Sequence, residues 1–200
     1  MQSALEKIKS IPGRYILEHE LSSSSISSVY LGVLNDVKAV IRVDLSPASR
    51  LAVDRQHEVN LLKDISHLDL APKVLYSDSA AGILIWEYIS GEQPFFTDKQ
   101  FNTKALYDLG SCLYSLHSHP IPKNSIDIFS NSMILYQSLL DSSSEKLLFN
   151  KALNLYNELL QDGANKVLSH NDLHRANLIW NQKYYFLDWE YSGVNHPCFD

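Results

Sequence analysis

The sequence has few of the features that mark a disulfide-stabilised, membrane-spanning or nucleic-acid-binding protein. Its two cysteines, Cys112 and Cys198, form no framework and no C-x-x-C pair, which fits the reducing conditions of the cytoplasm. No apolar run approaches the length that crosses a bilayer. The net charge of −6 argues against a nucleic-acid partner, because phosphate binding needs a basic surface. We therefore expect a cytoplasmic protein with no membrane or nucleic-acid partner.

The composition is otherwise that of an ordinary globular chain. Apolar residues make up 45% and charged residues 20% of the 200 positions, so a disordered chain is not expected. This length suffices for one large domain or for two small lobes that share an interface. The N-terminal segment MQSALEKIKSIPG lacks the apolar centre of a signal peptide and instead predicts a short amphipathic helix.

The first part of the chain is predicted to be mainly β-structure with one helix. Asn35-Asp36 separates two β-rich segments, which predicts a tight hairpin. Apolar residues recur at helical spacing over about residues 49–66, so a helix is predicted after the third strand. The five predicted strands read RYILEHEL, SVYLGVL, VKAVIRV, KVLYSD and GILIWEY.

The remainder is predicted to be mainly helical. The segment ISGEQPFF contains Gly91 and Pro94 and indicates a crossover between two lobes. A leucine stripe predicts a helix over residues 98–117, and NSMILYQSLLD and SEKLLFNKALNLYNELLQDG predict two more. A loop and a short hairpin, LIWN-QKYYFLDW, follow.

One segment, SHNDLHRANLIWNQKYYFLDWEYSG, concentrates the polar residues that suggest chemistry. Asp172 and Asn177 lie five positions apart on a predicted loop, and Asp188 follows an apolar strand eleven positions later. Phosphoryl transfer needs a carboxylate that accepts or orients the proton of the attacking hydroxyl. It also needs hard oxygen ligands for magnesium, which a carboxamide and a carboxylate supply. Read without context, the same residues are two turn residues and a strand-end cap.

This segment resembles the catalytic loop and metal motif of the aminoglycoside phosphotransferase and choline kinase superfamily, small-molecule relatives of the protein kinases. The resemblance extends over nearly the whole chain, and DWEYSGVNHPCFD is most similar to choline, ethanolamine and thiamine kinases. It implies an α+β, two-lobed protein-kinase-like fold. Residues 1–88 would form a small antiparallel β lobe with one helix, and residues 89–200 a mainly helical lobe. The family pattern leads us to expect further helices after CFD, so the second lobe is expected to be truncated.

The resemblance assigns the ATP-binding residues to the first lobe. Arg42 would contact the nucleotide phosphates and pair with Glu58, although a solvent-facing strand arginine and an exposed helix glutamate are the alternatives. The hinge would offer backbone groups of Glu87, Tyr88 and Ile89 to adenine. The loop of residues 22–28, with Ser24 and Ser25, takes the place of a glycine-rich phosphate cover but contains no glycine. A surface loop without a ligand role is equally compatible with it.

The resemblance assigns the chemistry to the second lobe. Asp172 would be the catalytic base, and His170 would brace the catalytic loop rather than take part in the chemistry. Asn177 and Asp188 would bind Mg²⁺.

The substrate side is predicted from Glu190 between two aromatic residues, Trp189 and Tyr191. An acidic group with aromatic faces is suited to a cation, and packing of the aromatic rings in the large lobe is the alternative.

The predicted function is therefore transfer of the γ-phosphate of ATP to the hydroxyl of a small cationic alcohol of the choline, ethanolamine or thiamine type. Two alternatives remain open from the sequence. An aminoglycoside phosphotransferase would also act on a cationic substrate. A truncated, non-catalytic relative that only binds nucleotide is the third reading, although it would have no need to retain Asp172, Asn177 and Asp188 together.

Overall fold

The computed structural model describes residues 4–45, 53–94 and 103–200. The first part contains five strands and two helices. A 3₁₀ turn at Ile65–Leu68 directly follows the second helix. Parts of two predicted helices, residues 49–52 and 98–102, lie outside the described residues. In chain order the elements are α1 (Ala4–Ile8), β1 (Tyr15–Ser23), β2 (Ser27–Leu34), β3 (Val37–Asp44), α2 (Arg55–Asp64), β4 (Val74–Asp78) and β5 (Ile83–Glu87).

The five strands form one antiparallel sheet in the order β1-β2-β3-β5-β4. The hairpin predicted between β2 and β3 is confirmed, with φ values of 48° at Asn35 and 67° at Asp36. Positive φ at both central residues is the signature of a type I′ turn, whose twist matches that of the flanking strands. The N-terminal helix and all five predicted strands are confirmed as well.

The two faces of the sheet have different chemistry. Successive side chains of a strand point to opposite faces, so β3 sends Ile41 and Val43 to one side and Arg42 and Asp44 to the other. The first side packs against α1 in an apolar cluster that includes Ile8. The second side faces α2 and buries two charged residues of β3. The strand alternation therefore places Arg42 on the face opposite Ile41, and this is the face that α2 covers.

The second part contains three helices and two small sheets. The helices predicted there are confirmed over the described residues, and the hairpin of β7 and β8 is confirmed. A second two-stranded pair, β6 with β9, was not predicted. The elements are α3 (Thr103–His117), α4 (Ile128–Leu139), α5 (Ser143–Leu159), β6 (Val167–Ser169), β7 (Leu178–Asn181), β8 (Lys183–Phe186) and β9 (Gly193–Asn195), with 3₁₀ turns at Arg175–Asn177, Trp189–Tyr191 and Pro197–Phe199.

One apolar cluster joins the two parts of the chain. Leu62 of α2 and Leu84 of β5 pack in the same buried cluster as Leu116 of α3 and Phe186 of β8. Burial of such side chains supplies about 1.5–3 kcal/mol each. The two parts of the chain therefore share one continuous hydrophobic core.

The segment after β5 lies directly against β7. Glu92 and Trp180 exchange two backbone hydrogen bonds, of 3.1 and 2.8 Å. A Cβ atom at Gly91 would lie 2.5 Å from both the Trp180 carbonyl oxygen and Ile179 Cγ2. Only glycine permits this close approach, so the crossover predicted from Gly91 is held against the second part of the chain. Within residues 4–45, 53–94 and 103–200, no helix combines the length and apolarity that a membrane span requires.

Candidate active site

A small cleft lies between the sheet and the β7–β9 region. Its small-lobe wall consists of the face of β3 and β5 that looks towards α2. Its opposite wall is the segment that follows β8. The lining residues are Arg42, Glu58, Leu62, Pro72, Leu84, Trp86, Leu187, Asp188 and Trp189.

The predicted pair of Arg42 and Glu58 forms a buried, two-pronged ion pair. Arg42 Nη1 and Nη2 donate to Glu58 Oε1 and Oε2 at 2.9 and 2.5 Å. The start of α2 is set by Asp54, whose side chain accepts hydrogen bonds from two amides of the first turn and so places Glu58 within that turn. Burial acts to raise the pKa of Glu58, but the charges and hydrogen bonds of Arg42 and Arg55 together outweigh it, so the pKa is lowered. Glu58 is therefore a carboxylate that holds the guanidinium in the cleft.

The catalytic loop brings Asp172 and Asn177 together. Asn177 Nδ2 donates to both the backbone oxygen and Oδ2 of Asp172, at 2.9 and 3.0 Å. Asn177 is buried, whereas the Asp172 side chain is 38% exposed. The contact therefore fixes the orientation of a carboxylate that remains accessible to solvent.

His170 holds this loop against the segment before Asp188. It is fully buried, and its Nε2 donates to the carbonyl oxygen of Leu187 at 2.8 Å. Burial lowers the pKa of His170, so the ring is neutral at physiological pH. A neutral ring that only donates to a carbonyl matches the predicted bracing role. Leu187 in turn donates its amide to the carbonyl of Asn177 at 2.8 Å, which places the next residue, Asp188, beside Asn177.

The carboxylate of Asp188 lies where negative charge is concentrated. Its pKa is raised to about 6, first by burial and then by the charge of Glu190, while Arg42 opposes the rise. Arg42 Nη1 approaches Asp188 Oδ1 at 3.7 Å. The backbone of Asp188 is left-handed, with φ 62°, a conformation that costs energy in a non-glycine residue.

These residues fit a magnesium ion. The amide nitrogen of Asn177 is bonded to Asp172, which leaves its oxygen for a cation, and the crowded Asp188 carboxylate would gain from a neighbouring positive charge. In the described part of the chain no cluster of three His, Cys, Asp or Glu side chains is suited to a metal. Magnesium commonly uses one or two protein ligands together with nucleotide phosphates, so two oxygen ligands suffice. The metal role of both residues stays a prediction.

Three anchors of the catalytic loop were not predicted. The Asp200 carboxylate accepts hydrogen bonds from the amides of His170 and Asn171 at 2.9 and 2.8 Å, and His117 Nε2 lies 3.0 Å from Asp200 Oδ2. The Asn171 side chain also donates to the carbonyl of Tyr191 at 2.9 Å. The sequence interpretation placed His117 only at a helix end. No local pattern links residues that lie 20 or more positions apart, so these contacts could not be found from spacing.

The hinge residues use most of their backbone donors within the sheet. The amide of Glu87 donates to the carbonyl of Lys73, and the amide of Tyr88 donates to that of Lys38, both at 2.9 Å. Among the described residues the Ile89 amide donates to no other group. Adenine recognition by this segment stays a prediction. The backbone groups that could contact adenine are the Ile89 amide and the carbonyls of the hinge residues.

The serine loop closes on itself. Ser24 Oγ accepts hydrogen bonds from the amides of Ile26 and Ser27, both at 3.1 Å, and its own amide donates to the carbonyl of Ser27 at 2.9 Å. These contacts make a tight connection between β1 and β2, with Ser25 at its exposed tip. The Ser24 hydroxyl is thus used inside the turn. A phosphate contact from Ser24 or Ser25 stays a prediction.

Two of the three residues predicted to contact the substrate, Trp189 and Glu190, make contacts within the protein, and the substrate role of Glu190, Trp189 and Tyr191 stays a prediction. The Trp189 ring is 2% exposed and packs against His170 at a centroid distance of 4.7 Å. The Glu190 carboxylate accepts a 2.8 Å hydrogen bond from Arg55 Nη1. The packing alternative therefore holds for Trp189, because this ring completes the apolar cluster beneath the catalytic loop.

Tyr191, like Glu190, is partly exposed. Burial, followed by the charge of Glu190 and the neighbouring phenol of Tyr136, raises its pKa. Tyr136, on α4, is 42% exposed and was not predicted at this site. Any ring contact to a substrate would therefore come from Tyr191 and Tyr136.

Comparisons with known proteins agree with this geometry. Residues 19–200 match the family described as the phosphotransferase enzyme family. Protein LicA of Haemophilus influenzae is 25% identical over 204 residues, which cover 93% of this chain and 58% of LicA. Ethanolamine kinase 1 of Homo sapiens is 28% identical over 205 residues, which cover 90% of this chain and 44% of that protein. The chain thus spans about half the length of these relatives.

Solved structures share the fold. Choline kinase LicA from Streptococcus pneumoniae matches with a TM-score of 0.71 and 25% identity, covering 96% of this chain and 69% of that chain. A structure of LicA in complex with AMP also gives a TM-score of 0.71, at 20% identity, with 97% of this chain and 69% of that chain covered. Because the family match extends over most of the sequence, the chain belongs to the phosphotransferase enzyme family.

Proposed function

We propose that this protein is an ATP-dependent kinase that phosphorylates the hydroxyl of a small cationic alcohol, with choline and ethanolamine as the leading candidates. The observation that carries the proposal is the convergence of three polar side chains. Asp172 is bonded to Asn177, and the Asn177 carbonyl is bonded to the residue before Asp188. Asp188 lines the same cleft as the buried pair of Arg42 and Glu58, and its carboxylate lies 3.7 Å from Arg42.

The proposed reaction is an in-line phosphoryl transfer. Asp172 accepts a hydrogen bond from the substrate hydroxyl and takes up its proton as the oxygen attacks the γ-phosphorus. The bond between the γ-phosphorus and the bridging oxygen breaks, and ADP leaves. Arg42 remains charged throughout, because a guanidinium does not lose its proton in proteins, and it offsets the charge of the nucleotide phosphates. Asn177 and Asp188 would hold magnesium, whose positive charge would offset the negative charge of the nucleotide phosphates.

The choice of substrate is supported by the relatives. Ethanolamine kinase 1 and choline kinase LicA are named for small amino alcohols, and LicA is also found with AMP. The half-buried Tyr191 phenol beside Glu190 supports a cationic group near the hydroxyl that reacts. Thiamine and aminoglycosides are included in the test because the same chemistry would serve them.

Substitution of the proposed base tests the assignment. We expect Asp172→Asn to lower the turnover of the full chain by about 100- to 10,000-fold, the usual range for a general base. Turnover is measured by coupled ADP production with choline, ethanolamine, thiamine and an aminoglycoside in turn. Because Asp172 is 38% exposed, its loss should leave the thermal unfolding temperature nearly unchanged.

An exposed carboxylate elsewhere provides the matched control. Asp141→Asn makes the same chemical change in the connection between α4 and α5, and it should leave turnover unchanged. Equal turnover of the Asp172→Asn variant and the wild type would remove Asp172 from the chemistry. Magnesium-dependent ATP binding without turnover on any of the four substrates would instead favour a non-catalytic relative.

A further inference from the structure

A second buried arginine connects three carboxylates beside the cleft. Arg55 is the first residue of α2 and is 7% exposed. Its guanidinium contacts Asp44 at the end of β3, Glu58 one turn along α2, and Glu190 after the β8 strand. Arg55 therefore contacts both parts of the chain, as Arg42 does through Glu58 and Asp188.

The geometry leaves the Arg55 side chain no freedom. Arg55 Nε and Nη2 donate to Asp44 Oδ2 and Oδ1 at 2.8 and 2.9 Å, a two-pronged contact that fixes the plane of the guanidinium. The remaining nitrogen, Nη1, donates to Glu58 at 3.1 Å and to Glu190 at 2.8 Å. Glu190 is therefore held by a group that is itself immobilised within the small lobe.

Asp188 is placed by its neighbours rather than by its own contacts. Within the described residues, the polar contact of its carboxylate is with Arg42, at 3.7 Å. Its backbone is in the left-handed region. On its N-terminal side, the Leu187 carbonyl is held by His170. On its C-terminal side, the 3₁₀ turn Trp189–Tyr191 carries Glu190, which is held by Arg55.

We propose that Arg55 is a positioning residue for the magnesium ligand Asp188, and that it acts through Glu190. A second hydrogen bond joins α2 to the segment that follows Asp188, since His57 Nε2 donates to the carbonyl of Ser192 at 3.1 Å. Helix α2 thus holds the segment after Asp188 at two points. The inference rests on the proposed function, because it takes Asp188 as a metal ligand.

The charge of the cluster allows a positioning role of Arg55 to be distinguished from a purely electrostatic one, because the two predict opposite changes in magnesium affinity. Two arginines, Arg42 and Arg55, face four carboxylates, those of Asp44, Glu58, Asp188 and Glu190. Loss of the Arg55 charge makes the cluster more negative, so an electrostatic effect alone would tighten magnesium binding. Loss of a positioning contact weakens it, because supporting residues around a metal typically contribute 10- to 100-fold to its affinity.

Calorimetric titration of ATP at increasing magnesium concentrations tests this proposal without turnover. We expect Arg55→Gln and Arg55→Lys each to raise the magnesium concentration for half-maximal ATP binding by about 10- to 100-fold. Arg55→Lys retains the charge but cannot form the two-pronged contact with Asp44. The matched control is Lys63→Gln, which removes one positive charge from an exposed position of the same helix and should change the magnesium demand less than twofold.

A double-variant cycle tests the route through Glu190. Glu190→Gln breaks the same contact from its other end, so adding Arg55→Lys to it should raise the magnesium demand no further. An additive rise would overturn action through Glu190.

The remaining outcomes test either the positioning role of Arg55 or the proposed function. A folded Arg55→Gln variant with unchanged or lower magnesium demand overturns the proposal, and if that variant fails to fold, wild-type demand in Arg55→Lys does so. A wild-type protein without magnesium-dependent ATP binding contradicts the proposed function instead.

Discussion

The charged end of the cleft and the layer of helices α3–α5 differ in how their side chains are satisfied. At the cleft, five charged residues from three regions of the chain are buried or nearly buried and are paired with one another. On the helices, large apolar side chains are open to solvent in the described structure. They include Tyr107 (75% exposed), Tyr114 (74%), Leu148 (70%), Ile134 (69%) and Leu155 (66%).

The two regions differ in the free-energy cost of placing their side chains. Desolvating two arginines and their partner carboxylates is costly, and apolar residues of similar volume would often be as stable. The exposed helix residues contribute little to the stability of the described structure, because their surface is not removed from water. The two regions should therefore respond very differently to matched substitutions.

The largest effect is expected in the buried ion pairs. We expect Glu58→Gln to lower the free energy of unfolding by about 3–5 kcal/mol, because it leaves the buried Arg42 and Arg55 without their shared partner. Urea unfolding followed by circular dichroism measures the change. The same substitution at Glu158, which is exposed on α5, should change the stability by less than about 0.5 kcal/mol. Similar losses in the two variants would mean that the charged cluster is not a structural unit.

A somewhat smaller effect should separate the two kinds of leucine in the helices. Leu116 of α3 is fully buried, whereas Leu155 of α5 is 66% exposed. We expect Leu116→Ala to lower the free energy of unfolding by about 2–5 kcal/mol, since it removes apolar contacts and leaves a cavity. Leu155→Ala should cost less than about 0.5 kcal/mol. If Leu155→Ala is as destabilising as Leu116→Ala in urea unfolding, its surface is covered in solution and the contrast between the regions is lost.

The smallest effect is expected at the start of α4, where a carboxylate caps a helix outside the cleft. Asp127 accepts hydrogen bonds from the Ser130 amide at 2.9 Å and from Lys166 Nζ at 3.1 Å. Burial acts to raise the pKa of Asp127, but these two donors outweigh it and the pKa is lowered. We expect Asp127→Ala to cost about 0.5–2 kcal/mol at neutral pH, the usual contribution of a helix N-cap.

The pH dependence of this difference follows from the direction of the shift. A lowered pKa means that the carboxylate stabilises the folded state above the pKa of the unfolded chain, and that this stabilisation is lost as the pH falls through the folded-state pKa. The wild type and Asp127→Ala should therefore converge in stability below about pH 4. Parallel curves of unfolding free energy against pH would contradict the assignment.

Much of the fold followed from local patterns in the sequence. The Asn35-Asp36 turn, the five strands and the alternation that places Arg42 and its neighbours in the strand on opposite faces of the sheet depend on residues close together in the chain, and the structure agrees with them. The pairing of Asp172 with Asn177 is also local. The short pair of β6 and β9 was missed because its strands have three residues each and are separated by more than twenty positions, so neither has a measurable period.

The sequence by itself determined the order of strands and helices and the residue types available for phosphoryl transfer, because these depend on backbone propensity and spacing. Only the tertiary structure decided that Trp189 is buried, that Glu190 binds Arg55, and that Asp200 anchors the catalytic loop. These contacts join residues that are distant in the chain. Which carboxylate meets which donor depends on how the sheet, α2 and the catalytic loop pack together, and no local pattern records that packing.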